Sequence, residues 1–529
     1  MMQRARDIAD KAGPFMKSVD STPTDRGDAS PSPVENAARE AEKSAKRSSH
    51  EERVTASPDA LAEWLEAIFS EEPTLRPDPR MRDYQLTYPP AVQIEQPAYH
   101  KTPSGAEYLA TLSGPINTAG YYFHFGYCQY RCRYCFHYEI RIREQEERMA
   151  RYVDALLCEA RRMRALTPHL RQVLTFLGGG TPTALPEPLL RRFTEGYGEI
   201  FGRPASKMST VEAKPITATQ EKLRIFFEAG FARVNFGVQT LDPALYAFHH
   251  HGEDVEVAVA ALRRAREVGY TWINIDLMIG LERETAESWT RTLERCSELI
   301  RQGLLDSVFV YPFHDDPRSR TYQHEGLCPA AQQVFWADAQ ARSHFEALGW
   351  LELGPRFFRS PAHAACEFNE VMRLKVVPGY GDTLWLGFGN SAYSVADEST
   401  YLNIRDAERY CEKVEAGEFA IEHFRTLNRT QQAARDLTFA LLYAPWIAAG
   451  RVAQKYGAET VARHVPQLRR WAQLGLGTFD DEWQLFTLNR LGKLLHQQMI
   501  PQLYLPEDRH DFDLVMIRRR EAGRTYKGY

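Results

Sequence analysis

Short runs of β-branched and aromatic residues alternate with longer amphipathic stretches between about residues 118 and 325. The short runs predict strands, and the stretches with apolar residues every three or four positions predict helices. The predicted strands are Gly120–Phe125, Gln172–Leu177, Met208–Glu212, Arg233–Val238, Trp272–Leu277 and Ser307–Tyr311. The predicted helices are Glu144–Leu166, Glu187–Ile200, Thr219–Ala229, Val255–Val268 and Glu287–Gln302.

This alternation of strand and helix predicts an α/β fold with a parallel sheet and right-handed crossovers. Six strand–helix units favour a partial (β/α)6 barrel over a closed eightfold barrel, and we place this barrel at residues 113–325. A doubly wound sheet remains an alternative, because periodicity does not distinguish the two arrangements.

The regions on either side of the alternating pattern differ from it. Residues 1–57 are rich in Ser, Pro and charged residues and predict a disordered tail. Residues 58–112 are expected to wrap along the barrel after one helix at Asp59–Phe69. Residues 326–404 are interpreted as an extension of the barrel, and residues 405–529 as a mainly helical C-terminal domain.

The composition is that of a globular protein, with 43% hydrophobic and 26% charged residues among 529. A net charge of −5 argues against nucleic acid as a partner, and no apolar run is long enough to span a membrane. Eight cysteines in so long a chain do not form a disulfide scaffold. We therefore expect a soluble, cytoplasmic protein.

Three of the cysteines follow the first predicted strand in the spacing C-x3-C-x2-C, as Cys128, Cys132 and Cys135. Thiolates this close on one loop are suited to bind three corners of a 4Fe-4S cluster, which leaves the fourth iron open to a substrate or cofactor. Arg131 and Arg133 lie between the thiolates and either stabilise the electron-rich cluster or face solvent.

Two alternatives to the cluster remain from the spacing alone. A structural zinc ion would need a fourth ligand, which His124 or His137 would supply. The three thiols are alternatively unrelated and buried.

With an aromatic residue before its last cysteine, the motif resembles the signature of the radical S-adenosylmethionine (SAM) enzymes. Further segments, spread over residues 84–505, resemble the oxygen-independent coproporphyrinogen III oxidase branch of that superfamily. These segments are Tyr122–Cys128, Phe176–Thr183, Gly237–Thr240, Asn274–Leu281 and Leu386–Ala392.

The resemblance implies two cofactors, a 4Fe-4S cluster and one or two molecules of SAM. It further implies that one electron, from reduced flavodoxin or ferredoxin, cleaves SAM to methionine and a 5′-deoxyadenosyl radical that abstracts hydrogen from a small-molecule substrate.

The glycines Gly178, Gly179 and Gly180 follow a predicted strand, where their backbone amides are able to approach a polar ligand. The resemblance assigns this segment, together with Thr181, to the amino-acid part of SAM. It also places Tyr122 beside the cluster, on the SAM or substrate side, as a candidate catalytic residue.

Glu212, Gln239 and Asp276 lie at or near the ends of three predicted strands. In a barrel the carboxyl ends of the strands converge on one face, where functional groups collect. By resemblance these residues are SAM contacts, and the alternative is that each caps a helix or holds a loop. The nearby run His249–His251 is expected in an exposed loop. Related enzymes generally place an arginine near His251.

Coproporphyrinogen III oxidases carry another cysteine two residues after the third, where this chain has His137. This difference favours carbon methylation, or a related alkyl transfer or cyclopropanation, on a small or aromatic natural product. The alternatives are oxidative decarboxylation of coproporphyrinogen III in anaerobic heme synthesis, and a heme-binding chaperone. In a chaperone, His124, His137, His314 and Tyr380 would line the heme pocket.

Overall fold

The computed structural model describes residues 49–77, 112, 114, 116–135, 140–141, 146–204, 206–313, 319–321, 328–363 and 383–509. Most of the predicted tail and wrapping segment lies outside these residues, as do His137, His314 and Tyr380.

The described strands form one large sheet, one small sheet and one short pair. In chain order they are β1 Thr118–Phe125, β2 Tyr127–Cys128, β3 Ile140–Arg141, β4 Arg171–Gly179, β5 Thr210–Ala213, β6 Arg233–Gln239, β7 Trp272–Ile279, β8 Ser307–Pro312, β9 Leu351–Gly354, β10 Phe357–Arg359, β11 Thr383–Phe388, β12 Tyr393–Val395, β13 Ser399–Asn403, β14 Ile421–Thr426, β15 Trp446–Ala448, β16 Gly477–Asp480 and β17 Leu485–Leu488.

The large sheet has the order β14-β13-β12-β11-β1-β4-β5-β6-β7-β8-β10-β9. The run β1-β4-β5-β6-β7-β8 is parallel throughout and follows the order of the chain without reversal. A doubly wound sheet would reverse direction at a switch point, so the partial barrel is the correct prediction. All six predicted strands are present, each with ends within two residues of those expected.

Helices connect the parallel strands and cover the outside of the sheet. The described helices are Ser49–Val54, Pro58–Glu71, Glu146–Leu166, Glu187–Phe201, Gln220–Glu228, Pro243–His249, Glu256–Val268, Ala286–Arg301, Ala331–Ala347, Ala407–Glu415, Arg429–Tyr443, Ala449–Tyr456, Ala458–Val461, His464–Gln473 and Arg490–Met499. The five helices predicted within the barrel are all among them. Among the described residues, none of the helices combines the length and the apolar character needed to cross a membrane.

The residues of β1 alternate between the two faces of the sheet, as the twofold period of a strand requires. Tyr121 and Phe123 face the outer helices, where their rings lie 4.6 Å from Phe201 and 5.5 Å from Phe193. Tyr122 points the other way and stacks at 6.2 Å on Trp385 of β11. The outer face therefore forms the helix–sheet core, and the inner face is left for the site.

The second half of the chain extends the sheet beyond the predicted barrel. The strand β11 pairs in parallel with β1, and β12, β13 and β14 follow it in antiparallel order. The large sheet continues to Thr426, past the expected boundary at residue 405, and the division into domains remains a prediction. The remaining described residues to 509 are mainly helical and include a hairpin formed by β16 and β17.

The N-terminal helix begins as its sequence predicts. The Ser57 side chain caps it by accepting a hydrogen bond of 3.1 Å from the Ala60 amide. Its apolar face is buried in the same cluster as the C-terminal helices. Within the last residues assigned to the tail, Ser49–Val54 forms a short helix with Val54 buried.

Candidate active site

A cavity opens at the carboxyl ends of β4 to β8, beside the loop that follows β1. It encloses about 960 Å³ of empty space, part of it open to solvent. Nine of the eleven predicted site residues line it, namely Cys128, Cys132, Cys135, Gly179, Gly180, Thr181, Glu212, Gln239 and Asp276. The barrel thus brings together residues that are up to 148 positions apart in the chain (276 − 128).

The cysteine loop, residues 126–135, holds its thiols at one side of the cavity. Cys128 and Cys132 are buried and Cys135 is half-buried. The Cys135 amide donates a hydrogen bond of 3.2 Å to the Cys132 carbonyl, which folds the loop into a turn. The Cys128 sulfur lies 3.2 Å from the Thr181 hydroxyl, so the loop contacts the glycine segment directly.

The glycine segment packs main chain against the main chain of the cysteine loop. The amides of Gly180 and Thr181 donate hydrogen bonds of 2.7 and 2.8 Å to the carbonyls of Phe125 and Tyr127. A Cβ at Gly180 would lie 2.4 Å from the Tyr127 carbonyl oxygen. The amides of Gly180 and Thr181 thus bind within the protein, and the assignment of these two residues to SAM remains a prediction. Their place in the cavity wall remains.

The other two glycines make room for side chains. A Cβ at Gly178, which does not itself line the cavity, would lie 2.7 Å from a carboxylate oxygen of Glu212. Gly179 has a φ of +100°, and a Cβ there would lie 2.6 Å from Nδ1 of His124. A side chain at either position would displace a polar group next to the cavity.

A hydrogen-bonded ladder of side chains across β6, β7 and β8 supports the opposite wall, which two of its members, Asn235 and Asp276, line. The Trp272 indole donates to Ser307 at 2.8 Å, and the Ser307 hydroxyl donates to Asn274 at 2.6 Å. The Asn274 amide donates to Asn235 and, at 3.1 Å, to Asp276. Asn235 then donates to the other carboxylate oxygen of Asp276 at 2.8 Å. This ladder fixes the orientation of the Asp276 carboxylate.

Gln239 ends β6 in a strained backbone conformation. Its φ is +69°, which non-glycine residues rarely adopt, and the pairing of β6 with β7 is irregular between Gly237 and Gln239. Such strain occurs most often at functional sites. The side chain of Gln239 is buried at the cavity wall.

Tyr122 does not line the cavity, although it faces the barrel interior. Its hydroxyl lies 3.1 Å from Nδ1 of His124, the ring that fills the space beside Gly179. The structure therefore places Tyr122 behind the cavity wall, and its catalytic role remains a prediction.

The histidine run differs from its expected exposed loop. His249 and His250 are buried, and only His251 is exposed. Burial lowers the pKa of His249 to about 4 and that of His250 to about 3, so both are neutral at pH 7. His251 hydrogen-bonds at 2.7 Å to the carbonyl of Arg131, so the run supports the cysteine loop from behind.

The two arginines between the cysteines have partners in the protein. Arg133 forms a 3.1 Å ion pair with the buried Glu282, and Arg131 donates a hydrogen bond of 3.2 Å to the carbonyl of Cys135. The positive charge of Arg133 is therefore balanced, which weakens its expected effect on a cluster.

Lys214 and Asn235 also line the cavity, although neither was among the predicted site residues. The signal for both was the period of two in a strand, since Asn235 precedes Gly237 by two positions and Lys214 follows Glu212 by two. The Lys214 ammonium group donates to the sulfur of Cys128 at 2.9 Å and to the carbonyl of Tyr130 at 3.0 Å.

The donor set fits an iron–sulfur cluster and SAM. Three thiols on one wall are the ligands that iron–sulfur clusters use, and carboxylate and amide groups on the other suit the polar groups of SAM. Among the described residues, no three His, Cys, Asp or Glu side chains converge as ligands of a single metal ion would.

Comparisons with known proteins agree with this chemistry. Residues 122–296 match the model of the radical SAM superfamily. The oxygen-independent coproporphyrinogen III oxidase of Salmonella typhimurium is 27% identical over 74% of this chain and 90% of its own length. The heme chaperone HemW of Bacillus subtilis is 26% identical over 72% of this chain and 97% of its own length.

A solved structure shows the same fold. The coproporphyrinogen III oxidase of Escherichia coli, described as a radical SAM enzyme, superposes with a TM-score of 0.68 at 24% identity. The superposition covers 79% of this chain and 96% of that protein. The cofactors of this chain are accordingly a 4Fe-4S cluster and SAM. The chain is a radical SAM enzyme, and over most of its length it is similar to the coproporphyrinogen III oxidase-like branch of that superfamily.

Proposed function

We propose that Cys128, Cys132 and Cys135 hold the cluster, and that the opposite wall of the same cavity binds SAM. The observation that carries this proposal is that the three thiols line one cavity together with Glu212, Gln239 and Asp276. When bound, the reduced cluster supplies the electron that cleaves SAM to methionine and a 5′-deoxyadenosyl radical, which abstracts hydrogen from the substrate.

The residues of this chain orient the ligand and protect the reaction. Asp276 is held by two donors, so its side chain is oriented before a ligand arrives, and the strained backbone of Gln239 sets where its side chain leaves the strand. Preorganised groups of this kind bind without further cost of reorganisation. Reduced flavodoxin or ferredoxin is the proposed electron donor.

Replacement of one cysteine tests the cluster site. In Cys132→Ala, we expect the iron content and the formation of 5′-deoxyadenosine under dithionite to fall to background. Cys158→Ala is the matched control, because Cys158 is exposed on the helix Glu146–Leu166. Iron and turnover retained in Cys132→Ala would refute the site.

For the substrate we propose a tetrapyrrole with oxidisable side chains. The named oxidase and chaperone relatives, each matched over at least 90% of its length, support this class. The proposed reaction is oxidative decarboxylation of coproporphyrinogen III or a close analogue. A propionate side chain loses a hydrogen atom to the 5′-deoxyadenosyl radical, then carbon dioxide, and a one-electron acceptor takes up the remaining electron. Carbon methylation, which His137 favours in the sequence, gains no support from these relatives.

Labelled SAM separates the two reactions. The chain is incubated anaerobically with coproporphyrinogen III, reductant and SAM labelled in its methyl group. We expect release of carbon dioxide and no label in the tetrapyrrole. Label in the product, without carbon dioxide, would establish methyl transfer instead.

A heme chaperone is the second candidate, supported by the match over 97% of the HemW relative. A heme titration distinguishes it. Stoichiometric, tight heme binding in a sample that forms no 5′-deoxyadenosine would favour the chaperone over the enzyme.

A further inference from the structure

Among the described residues that line the cavity, Lys214 is the only one with a cationic side chain. It sits on the extension of β5, two positions after Glu212. Three contacts reach the cysteine loop: the sulfur of Cys128 at 2.9 Å, the carbonyl of Tyr130 at 3.0 Å, and the ring of Tyr130 at 4.4 Å. A strand end is thereby linked to the loop that carries the thiols.

The backbone fixes the direction of this side chain. Pro215 follows Lys214 and restricts it to an extended conformation, here with φ −93° and ψ 136°. The Lys214 carbonyl accepts hydrogen bonds of 3.1 Å from the amides of Thr217 and Ala218, which closes a turn behind it. The main chain therefore directs the side chain toward the cysteine loop, and the contacts with Cys128 and Tyr130 hold its ammonium group there.

We propose that Lys214 is a positioning residue that acts through Cys128 and raises the reduction potential of the cluster. This inference rests on the proposed cluster site. Reduction adds one electron, and so one negative charge, to the cluster, and a fixed ammonium group beside a ligand sulfur stabilises the reduced state more than the oxidised one. Burial of the Cys128 sulfur limits screening by solvent.

Four proteins test this proposal: the wild type, Lys214→Met, Lys214→Gln and Lys214→Arg. Each is reconstituted anaerobically without SAM, its iron is counted, and the reduced cluster is followed by electron paramagnetic resonance during a titration with dithionite. At the potential that half-reduces the wild type, we expect a ratio of reduced to oxidised cluster at least tenfold lower in Lys214→Met and Lys214→Gln. For a one-electron couple this is a shift of about 59 mV to more negative potential. Lys214→Arg keeps the charge and should stay close to the wild type.

Lys222→Met is the matched control. Lys222 is a partly buried lysine on the next helix, where it donates to the carbonyl of Thr183 at 2.9 Å, and it does not line the cavity. Its removal should leave the potential unchanged.

Each remaining outcome decides the proposal. If Lys214→Met and Lys214→Gln have normal iron content and an unshifted potential, the proposal is wrong. It is also wrong if these two variants fail to hold iron, because the lysine would then serve only the assembly of the cluster. A wild-type sample without a cluster would refute the proposed function itself, before any lysine variant is compared.

Discussion

The cavity has two walls that are built differently. On the side of β1 and β4, main chain packs on main chain, and we call this the backbone wall. On the side of β6, β7 and β8, side chains hydrogen-bond to one another, and we call this the side-chain wall. The first wall is held by amides such as that of Gly180, which donates at 2.7 Å to Phe125. The second is held by the ladder through Asn274 and Asp276. The backbone wall has no room for a Cβ at Gly180, and the hydrogen bonds of the side-chain wall depend on the identity of each side chain. We infer that the backbone wall fixes the cysteines, and that the side-chain wall recognises the ligand.

The largest effect is expected from a side chain placed in the backbone wall. In Gly180→Ala, the new Cβ would lie within 2.7 Å of the carbonyl oxygens of Tyr127 and Phe125. Because main chain cannot rotate away, the cysteine loop must shift, at a cost of roughly 3 kcal/mol. We expect loss of most of the bound iron, measured after reconstitution together with chemical denaturation.

Gly198→Ala is the control for this change. Gly198 lies on the exposed side of the helix Glu187–Phe201, and a Cβ there meets nothing within 4 Å. Alanine should stabilise the helix by about 0.5–1 kcal/mol and leave the iron content unchanged. Normal iron and stability in Gly180→Ala would end the distinction between the walls.

An intermediate effect is expected from the side-chain wall. Asn274→Leu removes the centre of the ladder and leaves Asn235 and Ser307 without their Asn274 bonds, which should cost about 2 kcal/mol. The affinity for SAM should fall, because Asp276 loses one of its donors, while the iron content stays near the wild-type value. Equilibrium dialysis with labelled SAM and an iron assay measure the two quantities.

Asn428→Ala provides the comparison, since it removes an asparagine far along the chain that caps the helix Arg429–Tyr443 at 2.9 Å. It should cost about 1 kcal/mol of stability and leave SAM binding unchanged. Loss of iron in Asn274→Leu would show that the two walls do not act separately.

The smallest effect on the site is expected from Glu159, which lies outside both walls. Its carboxylate accepts hydrogen bonds from Tyr410 at 2.6 Å, Gly389 at 2.8 Å and Asn403 at 2.9 Å. Burial raises the pKa of Glu159 from 4.5 to about 7. The folded state therefore holds this proton more tightly than the unfolded state, and the contribution of Glu159 to stability falls as pH rises from about 4.5 to 7.

Glu159→Gln removes this dependence. The difference in unfolding free energy between variant and wild type should thus change between pH 4.5 and 7, while iron content and SAM affinity stay constant. A difference that is independent of pH would contradict the raised pKa.

The sequence predicted the parallel barrel well, because each strand is a short β-branched or aromatic run between turn residues. It did not predict that β11 lies beside β1, since nothing local marks a partner about 265 positions away, as between Thr118 and Thr383. It also did not predict the hairpin of β9 and β10, which turns at Arg356 with a φ of +67°.

The cysteines of the site were predictable from their spacing, and the strand-end residues from the convergence of strands in a barrel. The period of two pointed to Lys214 and Asn235, but it does not show which face of a strand points inward. The ladder and Lys214 were therefore recognised only once the register was known. The burial of the histidine run was also not predicted, because it depends on how the helix Pro243–His249 packs. His249 looks polar in the sequence, but the end of its helix is buried against Glu282, whose carbonyl bonds its ring at 3.1 Å.

The position of β11 also has a consequence for synthesis of the chain. Until Phe388 has been made, the edge of β1 that later pairs with β11 has no strand to cover it. An uncovered parallel edge is prone to pair with other chains, and closing so distant a contact is slow. We therefore expect nascent chains to be most prone to aggregation before β11 has paired with β1. We also expect the cluster to be inserted after this pairing has formed.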